Sequence, residues 1–214
     1  MTGRTASAPA APEPAPRAPA PTAPLFGLVL AGGESTRMGR DKGAIVFRGE
    51  PQVRRSWRLL NRLCVGAYVS ARPAQAEAEP YLGLPMILDE TQGLGPAAGL
   101  TSAWGRQPGA AWLVLATDMP LVDADLLVQL IRARDPASLA TCFRQPDGLL
   151  QPLCAIWEPR ARITLDARLA QGDASLRRAL ETGPIRELAA PERPERLASM
   201  DTEEDYGRIV SAGV

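Results

Sequence analysis

Histidine is missing from all 214 residues, and lysine nearly so: of 24 basic residues a single one, Lys42, is lysine and the rest are arginine. Without histidine there can be no Ser-His or Cys-His nucleophile pair, no imidazole general base and no zinc site with imidazole ligands. Cysteine is scarce too. Cys64, Cys142 and Cys154 are an odd number, no two of them form a CxxC, and each sits in an apolar context. That pattern reads as buried, reduced thiols in a cytoplasmic protein rather than as disulfides, metal ligands or a nucleophile. Neither sign of charge dominates: the formal net charge is zero and the arginines are interspersed. No basic stripe marks a nucleic-acid surface. No apolar run approaches the roughly 20 residues of a membrane-spanning helix. Residues 1–24 are almost all Ala, Pro and small polar residues. Such a stretch lacks the apolar segment of a signal peptide and cannot bury enough surface to order itself. A disordered tail is expected at 1–24 and one domain at 25–214.

What is present is a chain of ordinary globular make-up, 45% hydrophobic and 22% charged, with an alternating pattern. Short, continuous apolar runs at 25–31, 65–71, 84–88 and 111–117 suit strands buried on both faces of a parallel sheet. Between them the spacing predicts helices over about 51–63, 96–106 and 123–134. Two further strands are expected at 137–143 and 152–157, around a turn at Gln145-Pro146-Asp147-Gly148, with helices near 159–170 and 174–182. This order implies a three-layer α/β fold with a mostly parallel central sheet and right-handed crossovers.

In such sheets ligands sit beyond the carboxyl ends of the strands. The segment LAGGESTRMGRDKG, residues 30–43, follows the first strand and so stands at that place. Gly32 and Gly33 let the backbone turn tightly and approach a ligand, and successive N–H groups there can form an anion-binding nest. Arg37, Arg40 and Lys42 add positive charge. A plain glycine turn is the other reading, and the spacing matches neither GxGxxG nor a P-loop. Lys42 favours a phosphate cradle, because in an arginine-rich chain a lone lysine marks a place where a compact ammonium is needed. Asp118 ends a buried strand and faces the same crevice, placed to hold Mg²⁺ against a triphosphate. Asp123 already suits the N-cap of the helix that follows. Asp89 closes another strand and either accepts from a base or ribose or caps the turn before the glycine-rich 93–99 stretch. Thr202 and Asp205 resemble a capping box. Asp201, just ahead of them, supplies a second carboxylate if 199–201 returns to the crevice.

Together LAGGESTRMGRDKG, GLGPAAGL (93–100), TDMPLV (117–122) and DTEED (201–205) resemble the molybdenum cofactor guanylyltransferases, the MobA-like nucleotidyltransferases. The resemblance implies a Rossmann-like nucleotidyltransferase fold. It also implies a Mg²⁺-dependent reaction joining the GMP part of GTP to the phosphate of molybdopterin, with release of pyrophosphate. By motif match Leu30, Ala31, Gly32 and Gly33 would line the nucleotide and Lys42 would contact its phosphates. Asp89 would face the guanine, and Asp118 would bind both nucleotide and metal. Ser70 stands where the family usually has a nucleotide-contacting asparagine. The catalytic set is then Lys42, Arg37 and Asp118, and the metal ligands Asp118 and Asp201.

The chain departs from the family at Gln151-Pro152, where His-Pro is usual, and at residues 199–204, where Asn-x-Asn-Thr-Pro-Glu is usual. Both departures touch the acceptor side. An aspartate at 201 looks more like the cytidylyltransferase relatives, whereas Gly32-Gly33 and the Gly95-to-Gly99 stretch favour the guanylyl branch. CTP with another phosphate acceptor, or a non-catalytic nucleotide-binding module, are the alternatives. A molybdoenzyme or its chaperone is the protein partner that the resemblance implies, with neither nucleic acid nor membrane.

Overall fold

A computed structural model of the chain describes residues 22–32, 41–91, 93–200 and 202–212. The tail expected at 1–24 falls almost wholly outside the described residues, and so do Gly33, Arg37 and Asp201.

The apolar runs fold as expected into strands, and the amphipathic stretches into helices. In chain order these are β1 (Leu25–Leu30), the two-residue strands β2 (Val46–Phe47) and β3 (Glu50–Pro51), α1 (Gln52–Leu63), β4 (Ala67–Ala71), β5 (Met86–Leu88), α2 (Pro96–Arg106), β6 (Ala111–Ala116) and α3 (Ala124–Ala133). Then follow β7 (Ala140–Arg144), β8 (Leu150–Trp157), α4 (Ala161–Leu169), α5 (Leu176–Leu180), β9 (Arg186–Leu188) and α6 (Glu203–Ala212). The seven-stranded sheet runs β5-β4-β1-β6-β8-β7-β9. Its pairs are parallel except those of β8, which is antiparallel to both β6 and β7.

The expected three layers are present. A Cβ on Gly27 would meet Leu60 of α1 at 2.6 Å, and one on Gly99 of α2 would meet Leu30 at 2.7 Å. Gly27 and Leu30 lie three residues apart on β1, so the two helices cover opposite faces of the sheet. The core between the layers is filled by Trp104, Trp112 and Trp157, all buried.

Strand seven starts three residues later than its apolar pattern suggests. Asp135 holds residues 135–138 in a turn, accepting from the Ala137 amide at 2.9 Å and the Ser138 hydroxyl at 2.6 Å. Such side-chain to backbone bonds compete with strand pairing. All three cysteines are free; Cys142 and Cys154 are buried as expected, whereas Cys64 is only half-buried at the end of α1, and desolvation pushes each thiol up to about 12. None offers a thiolate near neutral pH. No described helix is long and apolar enough to cross a membrane.

The arrangement sets one place apart. From β1 the chain builds outward through β4 to β5, then crosses back to lay β6 on the other side of β1. The carboxyl ends of β1 and β6 therefore form the topological switch point, where a crevice opens in sheets of this type. The Thr117 amide donates to the Leu30 carbonyl at 3.2 Å, tying the two ends together.

Candidate active site

Every sequence-predicted site residue that the structure describes meets in that crevice. Leu30, Ala31, Gly32, Lys42, Ser70, Asp89 and Asp118 line one cavity of about 100 Å³. Gly33 and Arg37, also expected there, lie outside the described residues.

Lys42 is delivered by a short 3₁₀ turn, Lys42–Ala44, whose N-cap is Asp41. Its Nζ lies 3.5 Å from Asp118 Oδ2, with the two side chains only 18% and 17% exposed. In a site so poorly hydrated the attraction between them is stronger than the same pair would feel in water. Asp118 is not needed as a helix cap: Asp123 fills that role, accepting from the Leu126 amide at 3.1 Å. The Met200 amide donates to the Asp118 carbonyl at 2.7 Å, so the carboxyl-terminal segment does return to the crevice. Asp201 itself is outside the described residues. The capping box that follows it forms as expected, with Thr202 and Asp205 each accepting from the other's amide.

Asp89 closes the other wall. Ser70 Oγ donates to its Oδ1 at 2.6 Å, and a Cβ on Gly32 would meet its Oδ2 at 2.2 Å. Gly32 is therefore required where it stands, because any side chain would displace the carboxylate. A Cβ on Gly99 would likewise meet Ser70 Oγ at 2.2 Å, so the start of α2 can sit against this pair only as glycine. Ser70, expected to touch nucleotide, lines the cavity while spending its hydroxyl proton on Asp89.

Burial pushes the Asp89 carboxyl above its ordinary value, opposed by the Ser70 hydrogen bond and by Arg72. Between the ordinary carboxyl value and the raised folded one, the folded state thus retains a proton that the unfolded chain has already lost. Stability from this group is present at acid pH and lost as pH rises through the folded value. Asp89→Asn is expected to melt higher than the parent near neutral pH, where the buried charge is removed. The gap should close toward acid pH, where Asp89 is itself neutral; thermal melts between about pH 4 and pH 8 check this.

Two larger hollows flank the central cavity. One of about 490 Å³ shares Gly32, Asp89 and Gly95 with it and is edged by Arg72, Pro73 and Ala74. The other, about 740 Å³, shares Asp118 and Leu153 and holds Gln151, Arg177, Asp147 and Glu195. The three make a trough across the sheet's carboxyl edge, with Lys42 and Asp118 at its middle. Such a trough can hold two ligands end to end, their junction beside one cation and one carboxylate.

Among the described residues, no group of three or more Cys, Asp or Glu side chains is placed to hold a metal ion. Asp118, the carboxylate beside Lys42, could hold a divalent ion that keeps most of its water and shares phosphate oxygens. Sequence reasoning missed Asp41, Gln75, Tyr81 and Arg177. Asp41 was within reach, as the residue before the lone lysine. The other three carry no motif.

Comparison with known proteins gives the following. The MobA-like NTP transferase domain matches residues 27–190. The chain is 32% identical over 187 residues to a molybdenum cofactor biosynthesis bifunctional protein of Synechocystis, covering 87% of this chain and 54% of that longer protein. It is 36% identical to a probable molybdenum cofactor guanylyltransferase of Opitutus terrae, covering 86% of this chain and 94% of that one. In fold it is similar to the crystal structure of molybdopterin-guanine dinucleotide biosynthesis protein A from Archaeoglobus fulgidus. There the TM-score is 0.73 at 22% identity, over 88% of this chain and 98% of the other.

Proposed function

The chain belongs to the MobA-like NTP transferase family, a family of nucleotidyltransferases, and we propose that its reaction transfers GMP from GTP to the phosphate of molybdopterin. The observation that carries the reading is the contact between Lys42 and Asp118 at the ends of β1 and β6. The names of relatives that match over most of their length support the substrate pair.

In this reading the base and ribose occupy the hollow beside Asp89 and Arg72, and the triphosphate crosses Lys42. The acceptor lies in the larger hollow beyond Asp118. An oxygen of the acceptor's phosphate attacks the α-phosphorus of GTP in line, and the bond from that phosphorus to the pyrophosphate oxygen breaks. Pyrophosphate leaves with the negative charge. A phosphate monoester is already a nucleophile, so no base is required and a chain without histidine is at no disadvantage.

The obstacle is repulsion between two anions. Lys42 offsets it as a point charge, and the main chain at Ala31 and Gly32 leaves room for phosphate oxygens to approach. Asp118 would hold Mg²⁺, which when bound supplies further positive charge to the phosphates. Arg177 faces the acceptor hollow; its Nε is buried and finds no hydrogen-bond acceptor among the described residues. A phosphate oxygen would satisfy it. The carboxylates of Asp147 and Glu195 in the same hollow suit the amino and ring N–H donors of a pterin.

Two measurements test this. Incubation with α-labelled GTP, Mg²⁺ and molybdopterin should yield a labelled dinucleotide and pyrophosphate in equal amounts. Turnover with CTP alone would move the chain to the cytidylyl relatives, and binding without pyrophosphate release would make it a non-catalytic module. Arg177→Met is expected to raise the acceptor KM about tenfold, a loss of about 1.4 kcal/mol, with the KM for GTP unchanged. A change in the GTP value instead would place Arg177 on the nucleotide side.

A further inference from the structure

Behind the crevice lies a buried polar cluster that the reaction does not call upon. The side-chain amide of Gln75 donates from Nε2 to the Ala31 carbonyl and to Asp41 Oδ2, both at 3.0 Å, and lies 3.1 Å from the Tyr81 hydroxyl. Its Oε1 accepts from the Arg72 amide at 3.0 Å, which settles which way the side-chain amide faces. The Tyr81 hydroxyl donates to the Asp41 carboxylate at 2.7 Å, and the Gly43 amide donates to Asp41 Oδ1 at 2.8 Å. Gln75 and Tyr81 are both buried, at 6% and 0% exposure.

The placement is specific. Ala31 and Asp41 are the two ends of the glycine loop, and one glutamine amide bridges them. Asp41 then caps the turn that begins at Lys42. A Cβ on Gly43 would meet the Tyr81 hydroxyl at 2.3 Å, so the residue after the lysine has to be bare for that hydroxyl to reach Asp41. Buried polar groups are costly unless satisfied, and here each finds partners. If covering the core were the whole task, leucine and phenylalanine at 75 and 81 would do it. The polar atoms hold Ala31 and Asp41 instead.

We propose that Gln75 and Tyr81 are positioning residues which hold Asp41 against Ala31 and so aim the Lys42 ammonium at the phosphates. This rests on the role given to Lys42 above. A lysine side chain left to itself spreads over many rotamers; a turn held at its N-cap by three donors narrows where that side chain starts. The same cluster adjoins the base-side hollow through Arg72, so residues 72–81 of the connection between β4 and β5 serve both the nucleotide wall and the lysine.

A double-mutant cycle on the full chain separates positioning from structure. Tyr81→Phe, which removes one oxygen, and Gln75→Met are each made alone and together with Lys42→Met. Readouts are melting temperature, GTP affinity and the single-turnover rate at saturating GTP. Expected for each single variant is a folded protein with a rate reduced about tenfold or more and GTP affinity reduced severalfold. On the Lys42→Met background the same change should do nothing further to rate or affinity.

Equal losses in both backgrounds would overturn the proposal, since the residues would then act independently of the lysine. So would a lowered melting temperature with rate and affinity intact. Should Gln75→Met fail to fold, Tyr81→Phe decides, and Gly43→Ala, which crowds the hydroxyl from the other side, should reproduce its effect. If Lys42→Met alone leaves rate and affinity unchanged, the assignment of Lys42 falls and the proposal with it. That failure is distinguishable from an additive cycle.

Discussion

Lys42→Arg is expected to fold normally and to lower kcat about 10²-fold or more, although it keeps the charge. The reason is geometric. The ammonium sits 3.5 Å from Asp118 with both side chains largely buried. A guanidinium at that place presents a planar fork that matches a carboxylate with two parallel hydrogen bonds. It would hold Asp118 tightly and take up the oxygens that a metal ion needs. Lysine makes a contact that is weaker and without fixed direction, so it can transfer to a phosphate when nucleotide arrives. Lys42→Met, which removes the charge, should lose activity by a similar factor but also weaken GTP binding. A difference of this kind between the two variants, read from kcat and from GTP affinity separately, identifies the fork rather than the charge as the fault of arginine. Full turnover in Lys42→Arg would refute the argument.

Asp118→Asn is the second large effect. The substitution is nearly isosteric and leaves the Met200 amide bond to the residue 118 carbonyl untouched, so the fold is expected to stand. What is lost is the negative charge on the crevice side. A metal ion's Lewis-acid contribution amounts to several kcal/mol, so a fall in kcat of about 10³-fold is expected. The diagnostic readout is the metal dependence: the Mg²⁺ concentration for half-maximal rate should rise about tenfold or more. An unchanged requirement would mean that Asp118 serves only to hold Lys42. Any residual metal binding in this variant would point to another ligand at the crevice.

Most of what makes the crevice could be read from the chain before folding it. Continuous apolar runs identify buried strands, and their alternation with helical stretches dictates a parallel sheet. The carboxyl ends of those strands then hold Gly32, Asp89 and Asp118, each recognisable because it lies within two residues of its strand's end. Lys42 stood out against an arginine background. The antiparallel direction of β8 was less legible, because a turn after Gln145 fixes that two strands meet but not where the hairpin enters the sheet. The two-residue strands β2 and β3 are too short to show any period. The Gln75 cluster was hidden for another reason. Its partners lie 34 to 44 positions apart, and glutamine and tyrosine carry no local signature of a loop they hold from a distance. Local propensity reports the elements that carry a site; contacts across the sheet edge emerge only when the chain has closed.

The central claim is that a metal ion on Asp118 and the ammonium of Lys42 hold a nucleotide's phosphates together at the mouth of β1. A crystal structure with Mn²⁺ and a GTP analogue blocked at the α–β bridge tests it most directly, because the metal reports its own position by anomalous scattering. The account predicts the manganese peak on the Asp118 carboxylate and on phosphate oxygens, with Lys42 Nζ moved from Asp118 to the phosphates. Phosphates bound elsewhere in the trough, with the contact between Lys42 and Asp118 intact and no metal on the carboxylate, would contradict it.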